Sequence, residues 1–191
     1  MAEDTVNADF QAIRDSLKIP GEFPPDVVAA ARLAATRDPL HLRIEDSTDI
    51  PFVTIDPPGS MDLDQAFAAS RTGPGYLVHY AIDDIGFFVD CGGAIEQEAF
   101  RRGCTNYSPD IKTPLYPPEL SEGAASLLPD QTRAVILFRF DLDDRGEVVS
   151  RNIRRAVIRS RAQLHYPDVA EHLDAERAKP GSGRMCGNEW S

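Results

Sequence analysis

The sequence predicts an α+β fold, a mostly antiparallel sheet with flanking helices. Three observations carry that expectation. Within residues 1–45, Phe10, Ile13 and Leu17 recur at helical spacing. From Asp49 onward, short runs rich in β-branched and aromatic residues alternate with Gly, Pro and Asp turns. Arg133–Phe140, read R-A-V-I-L-F-R-F, has the character of a buried strand that turns back on itself.

Taken in order, the first helix ends at Pro20-Gly21, and its apolar face should point inward. Pro24-Pro25-Asp26 starts a second helix through Val27–Ala31, which stops near Asp38-Pro39. Phe52–Ile55 is a short strand, broken by Pro57-Pro58-Gly59. Gln65–Ser70 and Tyr76–Ile82 form a hairpin about the Thr72–Gly75 turn, with acidic groups on both arms at the open end. Phe87–Val89 continues apolar, and Gly92-Gly93 breaks it. A helix over Ala94–Arg102 should turn Ile95 and Ala99 inward. Thr105–Pro118 is a Pro- and Tyr-rich loop too long to be idle in a compact domain. After Arg133–Phe140, the D-x-D-D-x-G string at 141–146 is read as a plain turn, since a calcium loop would need a closing Glu. Glu147–Ile158 is the returning strand, and Leu164–Leu173 begins a further element.

With 191 residues, 42% hydrophobic and 27% charged, the chain can bury one core. No apolar run is long enough to cross a bilayer, and the acidic start lacks a signal peptide's basic segment, so the expected setting is cytoplasmic, with no membrane partner. Three Cys without metal-ligand spacing point to reduced thiols, and His79, inside a strand-like run, reads as a packed residue. A net charge of −11 opposes indiscriminate binding of a polyanion, unless several Asp are spent on metal. Arg151, Arg154, Arg155, Arg159 and Arg161 form the one basic run, which by itself describes a solvated strand face.

The chemistry concentrates in Asp49–Gln65, D-I-P-F-V-T-I-D-P-P-G-S-M-D-L-D-Q. In an extended backbone Asp62 and Asp64 share a face, with Met61 and Leu63 on the other. The Pro-Pro-Gly turn can fold Asp56 back toward them. Three crowded carboxylates repel unless a cation neutralises them, and hard oxygen ligands with room for water suit Mg²⁺ or Mn²⁺. Asp beside Pro and Gly is also ordinary turn chemistry, and Asp62 could cap a helix. Spacing alone leaves both readings open.

These residues resemble the catalytic domain of the ribonuclease II/ribonuclease R family, the RNB domain. The resemblance rests on V-T-I-D-P-P-G-S-M-D-L-D-Q-A at 53–66, H-Y-A-I-D-D-I-G-F-F-V at 79–89 and E-A-F-R-R-G-C-T-N-Y-S-P-D at 98–110. P-P-E-L-S at 117–121, S-L-L-P at 126–129, Arg133 and S-R-A-Q-L-H-Y at 160–166 follow in order. It implies a Mg²⁺-dependent hydrolytic 3′-to-5′ exoribonuclease (Mn²⁺ being the other candidate ion) that releases 5′-nucleoside monophosphates from single-stranded RNA. It makes Asp56, Asp62 and Asp64 the catalytic and metal-binding carboxylates. Gln65 joins the metal set in a position that is acidic in some members and Gln in others, and its neutral amide implies weaker metal affinity. Tyr107 matches a tyrosine that packs against the terminal nucleotide, Tyr166 one that contacts bases or riboses further up the strand, and Arg155 and Arg159 are further RNA-binding candidates.

The resemblance also sets the expected domains: a helical lead-in at 1–45, the N-terminal half of an RNB-type catalytic domain at 46–174, and a disordered tail outside the family at 175–191. The family's later S-P-I-R arginine motif does not occur. The alternative expectation is therefore a truncated, inactive fragment that binds metal or RNA weakly, or needs a partner supplying the missing C-terminal half.

Overall fold

The computed structural model describes residues 10–178, apart from residue 42. Residues 1–9 and 179–191, which include most of the expected tail, lie outside the described residues. Helix α1 (residues 10–16) forms where the apolar spacing places it, but the face is reversed. Ile13 and Leu17 are exposed, and Arg14 is buried instead. The cause is electrostatic: both Asp110 carboxylate oxygens accept from Arg14 Nη1, at 2.6 and 2.8 Å, and a bidentate pair outweighs one exposed apolar stripe.

Helix α2 (Pro25–Ala34) has proline in its first turn and buries Val27, Ala31 and Ala34. These pack with Phe88, Ile95 and Leu120 into a helical core that includes α3 (Ala94–Arg102). On α3, Ile95 is buried and Ala99 half-buried, and Glu98 and Arg102 are buried as well. Arg102 Nε donates to Glu98 Oε1 at 2.8 Å and its guanidinium lies 3.6 Å from the centre of the Phe23 ring, so the buried charge is paired and stacked.

The sheet is built from β1 (Glu45–Asp46), β2 (Phe52–Ile55), β3 (Gln65–Thr72), β4 (Gly75–Asp83), β7 (Thr132–Leu142) and β8 (Val148–Leu164). A small ribbon of β5 (Asn106–Tyr107) and β6 (Lys112–Thr113) lies inside the long loop at 105–118. The hairpins β3–β4 and β7–β8 are antiparallel, as is β4–β7. Gly75 is required where it stands, because a Cβ there would collide with the Leu142 carbonyl.

β8 runs six residues past the expected Ile158, to Leu164. Its first part pairs with β7, and its end pairs with β2 in parallel, Val53 opposite Ala162 and Ile55 opposite Leu164. The ladder β2–β3–β4–β7–β8 thus returns to β2 and closes into a ring. Its interior is filled by Phe52, Ala66, Ala68, Ala81, Leu137, Ile158 and their neighbours, with small and large side chains alternating as a narrow closed sheet requires. His79 is buried edge-on to Phe52, with ring centres 6.2 Å apart, a packing role.

Two further differences from the sequence reading have local causes. The apolar Phe87–Val89 run follows a 3₁₀ turn at Ile85–Phe87, whose Phe87 N–H bonds the Asp84 carbonyl at 2.9 Å, a turn the sequence reading did not include. Helix α4 (Tyr166–Ala178) continues past residue 174, where the tail was expected to begin. β7 takes in Asp141 and Leu142, and the turn follows at residues 143–146, where Asp143 Oδ1 accepts the N–H groups of Arg145 and Glu147, both at 2.9 Å. Among the described residues no helix is long and apolar enough to cross a membrane.

Phe52 is fully buried at the point where the ring closes. Phe52→Ala should lower unfolding free energy by about 3–5 kcal/mol in urea denaturation, with little change in m-value.

Candidate functional site

The Asp56–Asp64 loop is held from three sides. The Asp56 N–H donates to the Leu164 carbonyl at 3.0 Å, continuing the β2–β8 ladder one residue beyond the strand. His165 Nδ1 lies 3.0 Å from the Asp56 carbonyl, and Gln163 Nε2 donates to the Ser60 carbonyl at 3.2 Å. Beyond the turn, the fully buried Leu63 anchors the chain: its N–H donates to Ser126 Oγ, and its carbonyl accepts the Leu127 N–H at 2.8 Å. Ser126 Oγ donates in turn to the Met61 carbonyl at 2.6 Å. Met61 is exposed, so the expected common face for Met61 and Leu63 is not formed; residues 60–64 are irregular, and alternation does not apply there.

This clamping brings Asp56, Asp64 and Gln65 together in one cleft of about 200 Å³, lined also by Phe67, Tyr80 and Tyr166. Burial raises the pKa of Asp56 above the ordinary carboxylate value, and repulsion from Asp64 and Asp62 adds to the rise. Among the described residues neither Asp56 nor Asp64 has a cationic partner. Asp62 does: Lys112 Nζ stands 3.2 Å from Asp62 Oδ2 and 2.6 Å from Glu122 Oε1. The Tyr80 hydroxyl donates to Gln65 Oε1, taking up one lone pair of the amide oxygen expected to face a metal.

Asp83 was not among the expected site residues. The β3–β4 register sets Gln65 opposite Ile82, so the next pair outward is Asp64 and Asp83, and the Asp83 N–H donates to the Asp64 carbonyl at 3.0 Å. Burial, then repulsion from Asp64 and Asp84, pushes the Asp83 carboxyl up to about 7. The acidic residues on both arms of the hairpin were the signal in the sequence. Lys112 had a weaker one, its place in the long loop.

The remaining expected residues divide. Tyr166, 60% exposed at the start of α4, stands at the cleft. Tyr107, 75% exposed on β5, lines a separate cleft with Ile13, Leu17 and Pro109. Arg155 is committed to Asp84, Nη2 to Oδ2 at 2.5 Å, where it neutralises a buried carboxylate. Arg159 is exposed, with Nη2 donating to Thr132 Oγ1 at 3.4 Å. Neither arginine lines the Asp56–Asp64 cleft.

Among the described residues no three His, Cys, Asp or Glu side chains are grouped to hold a metal ion by themselves. Mg²⁺, however, is commonly held by one or two carboxylates with waters and substrate phosphates completing the shell. Two repelling carboxylates in a small cleft, without a cation of the protein's own, fit that mode.

Residues 44–184 match the family model described as RNB domain. The match runs ten residues past 174, the end read from the sequence. The chain is 33% identical over 165 residues to Ribonuclease R of Thermotoga maritima, covering 85% of this chain and 23% of that protein. It is 33% identical over 170 residues to Exoribonuclease 2 of Mannheimia succiniciproducens, covering 80% of this chain and 26% of that one. Mycoplasma genitalium RNase R, solved in complex with double-stranded RNA, superposes with a TM-score of 0.82 at 26% identity, over 91% of this chain and 31% of the other. The chain thus spans about a quarter of the length of the curated relatives it matches.

The Asp83 shift has a consequence for stability. Between about pH 4 and pH 7 the folded chain keeps a proton on Asp83 that the unfolded chain releases. Stability should therefore fall as pH rises through that window, by at most about 1.4 kcal/mol per pH unit. Urea unfolding in metal-free buffer should show this slope, and Asp83→Asn should flatten it.

Proposed function

The chain belongs to the RNB domain family, and from that premise we propose that it carries the carboxylate site of a Mg²⁺-dependent 3′-to-5′ exoribonuclease that releases 5′-nucleoside monophosphates from single-stranded RNA. The observation that carries this reading is the pairing of Asp56 and Asp64 in one cleft, mutually repelling and, among the described residues, without a partner cation. Those two residues would hold the ion. When bound there, it would offset the charge of a phosphate and make a water acidic enough to attack phosphorus.

The protein's own groups do the rest. The backbones of Asp56 and Asp64 are held just beyond β2 and just before β3 by ladder bonds. Gln65, oriented by Tyr80, can turn its amide N–H groups toward a phosphate oxygen or a water. Tyr166 offers an exposed aromatic face beside the carboxylates, on which a base or ribose can stack at a gain of about 1–3 kcal/mol without reading sequence. Tyr107 and Arg159, away from the cleft, would meet RNA further along its length.

A second reading is favoured by the share of its relatives that the chain spans, and by the exposed Ile82, Val149 and Ile153 on the outer sheet face. In that reading this stretch holds metal and RNA weakly, and turnover needs the region that completes the relatives.

One assay separates the two. Incubated with Mg²⁺ and 5′-labelled single-stranded RNA, the purified chain should shorten the RNA from its 3′ end and release monophosphates. Asp64→Asn should slow that release by about a hundredfold or more with an unchanged melting profile. Release that is equally fast in Asp64→Asn would overturn the assignment. No release, alongside Asp64-dependent Mn²⁺ binding, would select the second reading.

A further inference from the structure

Among the described residues Asp62 is the one carboxylate of the loop with an internal cation. Lys112 reaches it from β6, across 3.2 Å, and is tethered on its other side by Glu122 at 2.6 Å. Glu122 projects from a single π-helical turn, Leu120–Ala124, whose Leu120 is fully buried. Both anchors of the lysine therefore stand on fixed backbone. Lys112, Glu122 and Met61 line a cleft of about 910 Å³, whereas Asp56 and Asp64 line the smaller one. The loop thus has its carboxylates in two environments: two facing each other without a counter-charge, and one facing an ammonium group.

We propose that Lys112 is the resident counter-ion of Asp62, standing where a divalent cation would otherwise draw that carboxylate, so that the site takes its cation on Asp56 and Asp64 alone. The proposal rests on the reading of that cleft given above. Its physical content is competition. An ammonium ion beside Asp62 removes one ligand and makes the local potential less negative, and both effects weaken the hold on a divalent ion. Glu122 takes part of the lysine's charge and so sets how firmly Asp62 is held. Lys112 is a positioning residue here; it does not touch the cation, and its positive charge is offset by that of Asp62.

Mn²⁺ titration of the full chain, followed by electron paramagnetic resonance without RNA, tests this. Lys112→Met should bind Mn²⁺ about three- to tenfold more tightly than wild type. That gain should vanish in Lys112→Met/Asp62→Asn. Lys112→Arg keeps the charge and should stay within about twofold of wild type. Glu122→Gln leaves the whole ammonium charge to Asp62 and should weaken Mn²⁺ binding. Equal or weaker binding in Lys112→Met, or a gain that persists without Asp62, overturns the proposal. Should Lys112→Met fail to fold, Lys112→Gln takes its place with the same outcomes: tighter binding that needs Asp62 supports the competition, and equal or weaker binding overturns it. Asp64→Asn reports on the cleft itself. If Mn²⁺ binding ignores Asp64, the carboxylate-cleft reading falls, while the Lys112 comparison still answers its own question through Asp62.

Discussion

The parallel pairing of the end of β8 with β2 is the constraint on which the site depends. It closes the ring, and its last bond, from the Asp56 N–H to the Leu164 carbonyl, fixes the first carboxylate. The same few residues of β8 place Gln163 against Ser60, His165 against the Asp56 carbonyl and Tyr166 at the cleft. A strand register therefore sets distances that side-chain packing alone would leave loose, and a one-residue slip would turn these groups to the other face. The core agrees with this requirement, since Phe52 and Ile158 bury fully beside the junction.

The site's electrostatics follow from the loop's geometry. The Pro57–Gly59 turn and the Leu63 anchor bring like charges together, and the fold resolves the repulsion differently at each. Asp62 has Lys112; Asp83 leans toward its protonated form; Asp84 has Arg155. Asp56 and Asp64 line one small cleft, where burial and mutual repulsion hold the Asp56 pKa up.

Local pattern carried much of this. The hairpin over Gln65–Asp83 and the strand beginning near Arg133 are legible because their alternation and turn residues act within a few positions. So is the coming together of Asp56 and Asp64, which needs only a turn. What the sequence did not reveal depends on contacts across the chain. The bidentate grip of Asp110 on Arg14 spans ninety-six positions and reverses α1's inward face. Lys112 meets Asp62 only because a two-residue ribbon forms within a loop. The parallel β2–β8 ladder joins segments a hundred residues apart, which no local period can announce. Arg155 looked available in one dimension and is spoken for in three.

The arginine run gains a second meaning from the part of β8 that projects before the ring closes. Among the described residues, the first half of β8 pairs with β7 on one side, and its other side meets only the two residues of β1. A strand with one bare margin carrying Val148, Val149 and Ile153 would invite another chain to zip alongside it. Arg151 stands exposed among those residues, whereas Arg154 is tied to Glu45 and Arg155 to Asp84, both at 2.5 Å. A charge on such a margin opposes the docking of a second strand there, so Arg151 works against edge-to-edge stacking of copies of this chain.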